Sequence, residues 1–142
     1  MMNKYPHLKK NPNSETDWFE ALIGLARYLR TPDGCPWDRE QSSADFVKYL
    51  QEEAEELRDA LVSGDDRHTE EELGDTFFTL LAVVAAAEEE GRFTMKGTLQ
   101  RIHEKMIRRH EHVFGDVKAK TPEDAIKAWN RAKEKEKSDG VS

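Results

Sequence analysis

The sequence predicts an all-α protein, a helical bundle of about five helices. Apolar residues recur at three- and four-residue spacing along most of the chain, the period of a helix with one buried face. Residues that start and stop helices punctuate those runs. No stretch competes with the alternating pattern of a strand.

Residues 1–15 (MMNKYPHLKKNPNSE) read as a flexible lead-in. The first helix starts near Ser14 or Thr16, sets Trp18, Leu22, Ile23, Leu25, Ala26 and Leu29 at helical spacing, and ends at Pro32-Asp33-Gly34. The loop TPDGCPWDREQS leads to a second helix, from an N-cap at Ser43 to the break at Ser63-Gly64. At about 100° per residue, Phe46, Leu50, Ala54, Leu57 and Leu61 form its apolar stripe. A third helix begins near Thr69 and continues to Glu90-Gly91, and from Leu73 to Ala87 it is apolar nearly all round, as suits a helix enclosed by others. The fourth runs from about Thr94 to Phe114-Gly115, with Leu99, Ile102 and Met106 on one face. The fifth opens with Thr121-Pro122-Glu123-Asp124, an N-cap followed by proline at the first helical position, and includes Ile126 and Trp129. Helices two and three take the centre. Residues 16–133 are expected to form the helical domain and 134–142 a frayed tail.

The 142 residues suit one domain with a real core. A formal net charge of −7 disfavours non-specific binding to nucleic acid or to an anionic membrane. It leaves room for a small anionic substrate brought in with a divalent cation. The start lacks the apolar region of a signal peptide, and the longest apolar run, around residues 77–87, is shorter than the roughly 20 residues a membrane helix needs. Lone Cys35 makes no internal disulfide, and no Cys/His cluster suggests zinc. The expected location is the cytoplasm.

The stretch LQEEAEELRDAL, residues 50–61, raises the chemical question. Glu53 falls inside the apolar stripe and Glu56 at its edge, whereas Glu52 and Glu55 point toward solvent. A carboxylate aimed at the interior is costly unless a cation, a set of donors or a metal neutralises it. The third helix carries inward acids of its own. Glu72 and Asp75 are three apart and therefore neighbours. Thr69-x-x-Glu72 also reads as a capping box, with glutamate bonding back to the cap. Asp75 fits no cap, and its face continues through Phe78, Thr79 and Ala82, which would bury it. Two i, i+3 carboxylate pairs on antiparallel neighbours can surround one point, and hard oxygen ligands suit Mg²⁺ or Mn²⁺. Glu53 and Glu56 by themselves are also compatible with an ordinary solvated, salt-bridged helix face.

Helix four supplies opposite charge in EKMIRRHEHVFGD. Lys105 and Arg109 are four apart and share a face, with Arg108 beside them. Trp129 and Lys133 repeat that spacing on helix five. Basic residues near a helix C-terminus also simply complement its dipole, and a tryptophan is more often a core or interface residue. His110 and His112 lie on different faces of a continuous helix, which disfavours a shared metal. An acidic centre accompanied by cations and a tryptophan fits a nucleoside polyphosphate, whose phosphates take metal and Lys/Arg while its base takes an aromatic ring.

The order GCPWDREQ (34–41), EEAEE (52–56), EELGD (71–75), EEEGRF (88–93) and EKMIRRHEHVFGD (104–116) resembles the MazG family of nucleoside triphosphate pyrophosphohydrolases, over roughly residues 17–137. EExxE and ExxD recur across the wider all-α NTP pyrophosphatase superfamily, and the CPWD loop and KMIRRHxHVFG narrow the resemblance to MazG. It implies Mg²⁺-dependent cleavage between the α- and β-phosphates, to a nucleoside monophosphate and pyrophosphate. By motif position Glu53, Glu56, Glu72 and Asp75 would be metal ligands, Glu53 thereby entering catalysis, and Glu52 a candidate to orient or deprotonate water. Lys105 and Arg109 match positions that contact phosphate. Trp129 and Lys133 resemble the family's distal W-x-x-x-K, and Trp37 of the CPWD loop joins the substrate-binding candidates. Many members carry two such domains, and this chain has room for one. Its core is then expected to be completed by a homodimer or higher homo-oligomer, with Trp18 and Ile126 at the interface. A non-catalytic helical domain that binds nucleotide or regulates is the alternative.

Overall fold

The computed structural model describes residues 4–140, and among them it contains seven helices and no strand. They are α1 (Glu15–Tyr28), α2 (Pro36–Glu40), α3 (Ser43–Ser63), α4 (Asp66–Glu89), α5 (Met95–Arg109), α6 (Glu111–Phe114) and α7 (Pro122–Ser138). The five long helices are those the periodicity predicts. α2 and α6 are additions, at five and four residues too short to carry a period. α7 continues to Ser138, into the stretch expected to fray. No helix among the described residues is long and apolar enough to cross a membrane. The described residues form two compact units, divided between Met95 and Lys96.

In the first unit, α4 is the central helix. Its buried run Leu81, Ala82, Val84, Ala85, Ala86 and Ala87 is mostly alanine, and small side chains let two neighbouring helices approach closely. On one side Leu81, Val84 and Ala85 meet Ala26 of α1 and Met95, flanked by Phe19, Leu22 and Ile23. On another, Ala82 and Ala86 meet Phe46 of α3. α3 and α4 form an antiparallel hairpin, since Phe46 lies against Ala82 and Ala86 while Glu53, farther along, reaches back to Thr76. Gly64 closes α3 in the left-handed region at φ 81°, where a side chain would be strained.

Two helix starts differ from the sequence expectation. Ser42, not Ser43, caps α3, in a reciprocal box with Asp45. Asp65 caps α4, four residues before Thr69, and the Thr69 hydroxyl bonds the Asp65 carbonyl inside the helix. Glu72 therefore closes no capping box.

The partner-facing row of α3 also differs. Phe46 and Ala60 are buried and Leu50, Glu53 and Leu57 half-buried, whereas Ala54 and Leu61 are exposed. Steps of four, three, four and three from Phe46 to Ala60 average 3.5 residues and stay on one side of the helix. The expected stripe averages 3.75 and drifts away. α4, expected to be enclosed on all sides, leaves Leu73, Phe77 and Leu80 exposed.

The loop before α3 is fixed by Arg30. Its Nη1 donates to the Asp38 carbonyl at 2.6 Å and to Asp38 Oδ1 at 3.1 Å, and its Nη2 to the Gln41 carbonyl at 2.9 Å. Both side chains of the Arg30–Asp38 pair are less than a tenth exposed. Gly34 is required here, because a Cβ would lie 2.4 Å from the carbonyl oxygens of Tyr28 and Leu29.

In the second unit, the α5 helix ends at Arg109, and His110 leaves helical geometry at φ −111°, ψ 49°. The expected single helix to Phe114 is thus two. α6 packs on α7, which Thr121 caps through the Asp124 amide.

Candidate functional site

The 3.5-residue row that seats α3 against α4 puts a glutamate, Glu53, where an apolar side chain would ordinarily go. Glu72 approaches from α4 one turn before Thr76, whose hydroxyl bonds the Glu72 carbonyl at 2.9 Å and the Glu53 carbonyl at 3.3 Å. Carboxylate oxygens of Glu53, Glu56 and Glu72 all lie within 4.8 Å of one another. Glu53 and Glu72 are half-buried and Glu56 is exposed. Glu53 Oε2 and Glu72 Oε2 are each buried with no hydrogen-bond partner.

Orphaned buried carboxylate oxygens are expensive, and like charges add to the cost. Burial, then the charges of Glu56 and Asp75, push the Glu53 carboxyl above the usual value of 4.5. The same causes push Glu72 up, with His68, 4.0 Å away, slightly opposing. A divalent cation satisfies all of these demands at once, and an all-carboxylate donor set matches hard ions. Asp75 is exposed, contrary to the burial its face suggested, and stands outside the group of three while its charge acts on both buried members. Glu52 is exposed, as expected.

The acids of EEEGRF show the contrast. Glu88 takes Arg27 in two bonds of 2.9 Å and accepts from the Met95 amide at the start of α5. Glu89 pairs with Arg30. Glu90 accepts from the Ser43 amide and hydroxyl at the start of α3. These three are satisfied by protein. Trp37 is half exposed, lying edge-on to Phe46 at 6.1 Å and tilted against Tyr49 at 5.6 Å, so the indole is both anchored and accessible.

In the second unit, Arg109 and Trp129 are brought together, the guanidinium 5.1 Å from the ring centroid. Arg109 Nη2 donates to Glu136 Oε1 at 2.9 Å, and Arg108 Nε to Glu136 Oε2 at 3.2 Å. Lys105 lines a groove with Arg101, Ile102 and Arg108. Lys133 is exposed on α7. The break at His110 brings the His110 and His112 rings to 5.4 Å, closer than a continuous helix would allow, and His110 also meets Trp129 edge-on. His110 Nδ1 lies 2.6 Å from the Met106 carbonyl, a contact satisfied when that nitrogen carries the proton.

Fold and cluster together define an all-helical protein with a carboxylate centre suited to a divalent metal. Residues 41–114 match the model of the MazG nucleotide pyrophosphohydrolase domain. The chain belongs to that family. It is 40% identical over 119 residues to a Thermotoga maritima protein named nucleoside triphosphate pyrophosphohydrolase/pyrophosphatase MazG, and 36% identical over 120 residues to an Escherichia coli nucleoside triphosphate pyrophosphohydrolase. These matches cover 84% of this chain but 45% and 46% of the relatives. The chain therefore spans about half the length of those relatives. The crystal structure of a MazG-related protein from Thermotoga maritima superposes with a TM-score of 0.70 at 31% identity, over 81% of this chain and 98% of that one.

Proposed function

We propose that this chain hydrolyses nucleoside or deoxynucleoside triphosphates between the α- and β-phosphates, releasing a nucleoside monophosphate and pyrophosphate with Mg²⁺ as cofactor. The observation that carries the reading is the pair of buried, partnerless oxygens on Glu53 and Glu72 beside Glu56, in a family described as nucleotide pyrophosphohydrolases. Glu53, Glu56 and Glu72, with Asp75, would hold the cation, and Mn²⁺ would substitute. When bound, the cation supplies charge neutralisation on the phosphates and lowers the pKa of water.

The chain's own residues do the rest. Glu52, exposed beside the cluster on α3, orients water and accepts its proton. Lys105 and Arg109 bind phosphate oxygens, Arg109 offering a planar donor fork. Each unit carries a tryptophan able to take a base, Trp37 in the first and Trp129 in the second, where Lys133 adds positive charge. The exposed apolar residues of the first unit, Trp18 on α1, Leu61 and Val62 on α3, and Leu73, Phe77 and Leu80 on α4, fit coverage by a second copy of the chain in a homodimer. Ile126 of α7, 59% exposed, is a further interface candidate. The proposed location is the cytoplasm.

Product analysis in ¹⁸O-labelled water tests the reaction. Pyrophosphate and a labelled monophosphate are expected, with activity abolished by EDTA. Orthophosphate with nucleoside diphosphate as first products would refute the bond assignment. Nucleotide binding by the Mg²⁺-loaded protein with no turnover on any triphosphate would make it the non-catalytic alternative.

A further inference from the structure

Glu136 stands out in the second unit as a carboxylate 6% exposed on a helix whose neighbouring positions, Lys133, Glu134, Lys135 and Lys137, are all exposed. Its two oxygens are divided between two arginines. Oε1 accepts from Arg109 Nη2 at 2.9 Å, and Oε2 lies 3.4 Å from Arg109 Nε and 3.2 Å from Arg108 Nε. Arg109 is thereby gripped along its Nε–Nη2 edge, while Trp129 lies 5.1 Å from the guanidinium carbon. The Arg109 side chain is 12% exposed. Of the five N–H groups of a guanidinium, this grip takes two, and those remaining on Nη1 and Nη2 form its end-on donor edge.

We infer that Glu136 is a positioning residue for phosphate recognition, fixing the plane and direction of the Arg109 guanidinium so that its end-on edge is presented to a phosphate oxyanion. The inference rests on the proposed role of Arg109 in holding the substrate's phosphates. An arginine already held in its binding rotamer loses less side-chain freedom when the phosphate arrives. The carboxylate is suited to this duty because the hydrogen bond from Arg109, partly opposed by burial, holds it below its ordinary pKa. It therefore remains an acceptor at neutral pH. A glutamine would retain one acceptor oxygen but turn an N–H₂ toward the other arginine contact.

The test uses the full chain with Mg²⁺ and a triphosphate that it turns over. Glu136→Gln is expected to raise KM roughly tenfold with kcat changed less than about twofold, as loss of binding shared by ground and transition states requires, and to weaken pyrophosphate inhibition in parallel. Glu136→Asp, which keeps the charge but withdraws it by one methylene, should give an intermediate KM. In an Arg109→Ala background, either change should add nothing, because a residue acting only through Arg109 has no effect once Arg109 is gone. If Arg109→Ala itself leaves KM unchanged, the phosphate assignment of Arg109 falls. If Arg109→Ala raises KM but Glu136→Gln does not, or if the Glu136 changes retain their full effect without Arg109, the positioning role alone is overturned. Should Glu136→Gln fail to fold, Glu136→Asp decides the matter, and a wild-type KM in that variant overturns the inference.

Discussion

Glu53 on α3 and Glu72 on α4 bring carboxylate oxygens within 4.8 Å of each other, and each keeps one buried oxygen that no donor reaches. Each nevertheless has a different neighbour on its own helix, Glu56 for Glu53 and His68 for Glu72. The cluster is thus an arrangement that protein alone leaves unfavourable, and the consequences can be measured.

Replacing Glu53 by glutamine is expected to reduce turnover by about a hundredfold or more while the fold survives, since an amide is a poor ligand for a hard cation but has nearly the same shape. The metal-free variant should melt higher than the wild type, one like charge having been removed. Near wild-type turnover at saturating Mg²⁺ would take Glu53 out of the metal centre.

The pH dependence of the metal-free protein follows from the raised carboxyls. Glu53 and Glu72 both have folded-state values above the ordinary 4.5. Between the ordinary and the raised values the folded state binds more protons than the unfolded chain, so stability falls as pH rises. In EDTA the melting temperature should therefore decline from this source as pH climbs through the raised values, and Glu53→Gln should flatten the decline. A wild-type profile rising through that window with the same slope as the variant would contradict it. Mg²⁺ should restore stability on the alkaline side, because a ligand that binds only the folded state stabilises it.

Glu52→Gln separates water activation from metal binding. The side chain is exposed and outside the group of three. Turnover should fall roughly a hundredfold, as for loss of a general base, while the Mg²⁺ concentration that half-protects against thermal unfolding stays where it was. A shift in that concentration would make Glu52 a ligand.

The Arg30–Asp38 pair should matter for stability. Arg30 keeps Glu89 and the carbonyls of Asp38 and Gln41 when the Asp38 carboxylate is removed. Asp38→Ala should therefore cost about 1.5 kcal/mol, the low end for a hydrogen bond between charged groups, and lower the urea midpoint measurably. Asp38 itself is pushed toward a higher pKa, chiefly by burial, with Arg30 opposing. A variant as stable as the parent would mean that Glu89 and the carbonyls of Asp38 and Gln41 hold Arg30 and the loop without the Asp38 carboxylate.

Phe77→Glu tests the proposed homodimer. Phe77 is 41% exposed and meets Phe19 only edge-on, at 5.8 Å. Sedimentation should give a dimer for the wild type and a monomer for the variant. A monomeric wild type at micromolar concentration would leave the apolar face without that explanation.

Much of the site was legible because its chemistry conflicts with its surroundings. Glu53 is conspicuous as an acid within an apolar row, and the conflict can be read without knowing the partner helix. The register of that row was not legible, since Leu61 and Ala60 are both apolar and only contact with α4 selects Ala60. The start of α4 was hidden for a related reason. Asp65 and Thr69 are both good caps, and the left-handed turn at Gly64 decides for Asp65. Asp75 was placed inside by helix periodicity, but periodicity cannot say where a helix surface stops being covered. Lys105 and Arg109 are legible from their shared helix face and from the motif resemblance, whereas Glu136 is not, because it lies in the stretch 134–142 that reads as a frayed tail until the arginines of α5 are beside it. The break at His110 has no proline or glycine to announce it.

The two-residue turn at Gly64-Asp65 has a kinetic consequence. All the proposed ligands lie between positions 53 and 75, on helices that need only close this turn to meet. Contacts so local form early and at little loop-closure cost, so the mutual repulsion of the carboxylates is already present while the rest of the first unit is condensing. Divalent ions should then accelerate refolding as well as slow unfolding, and the metal-free chain should cross its folding barrier with the charges of its own site working against it.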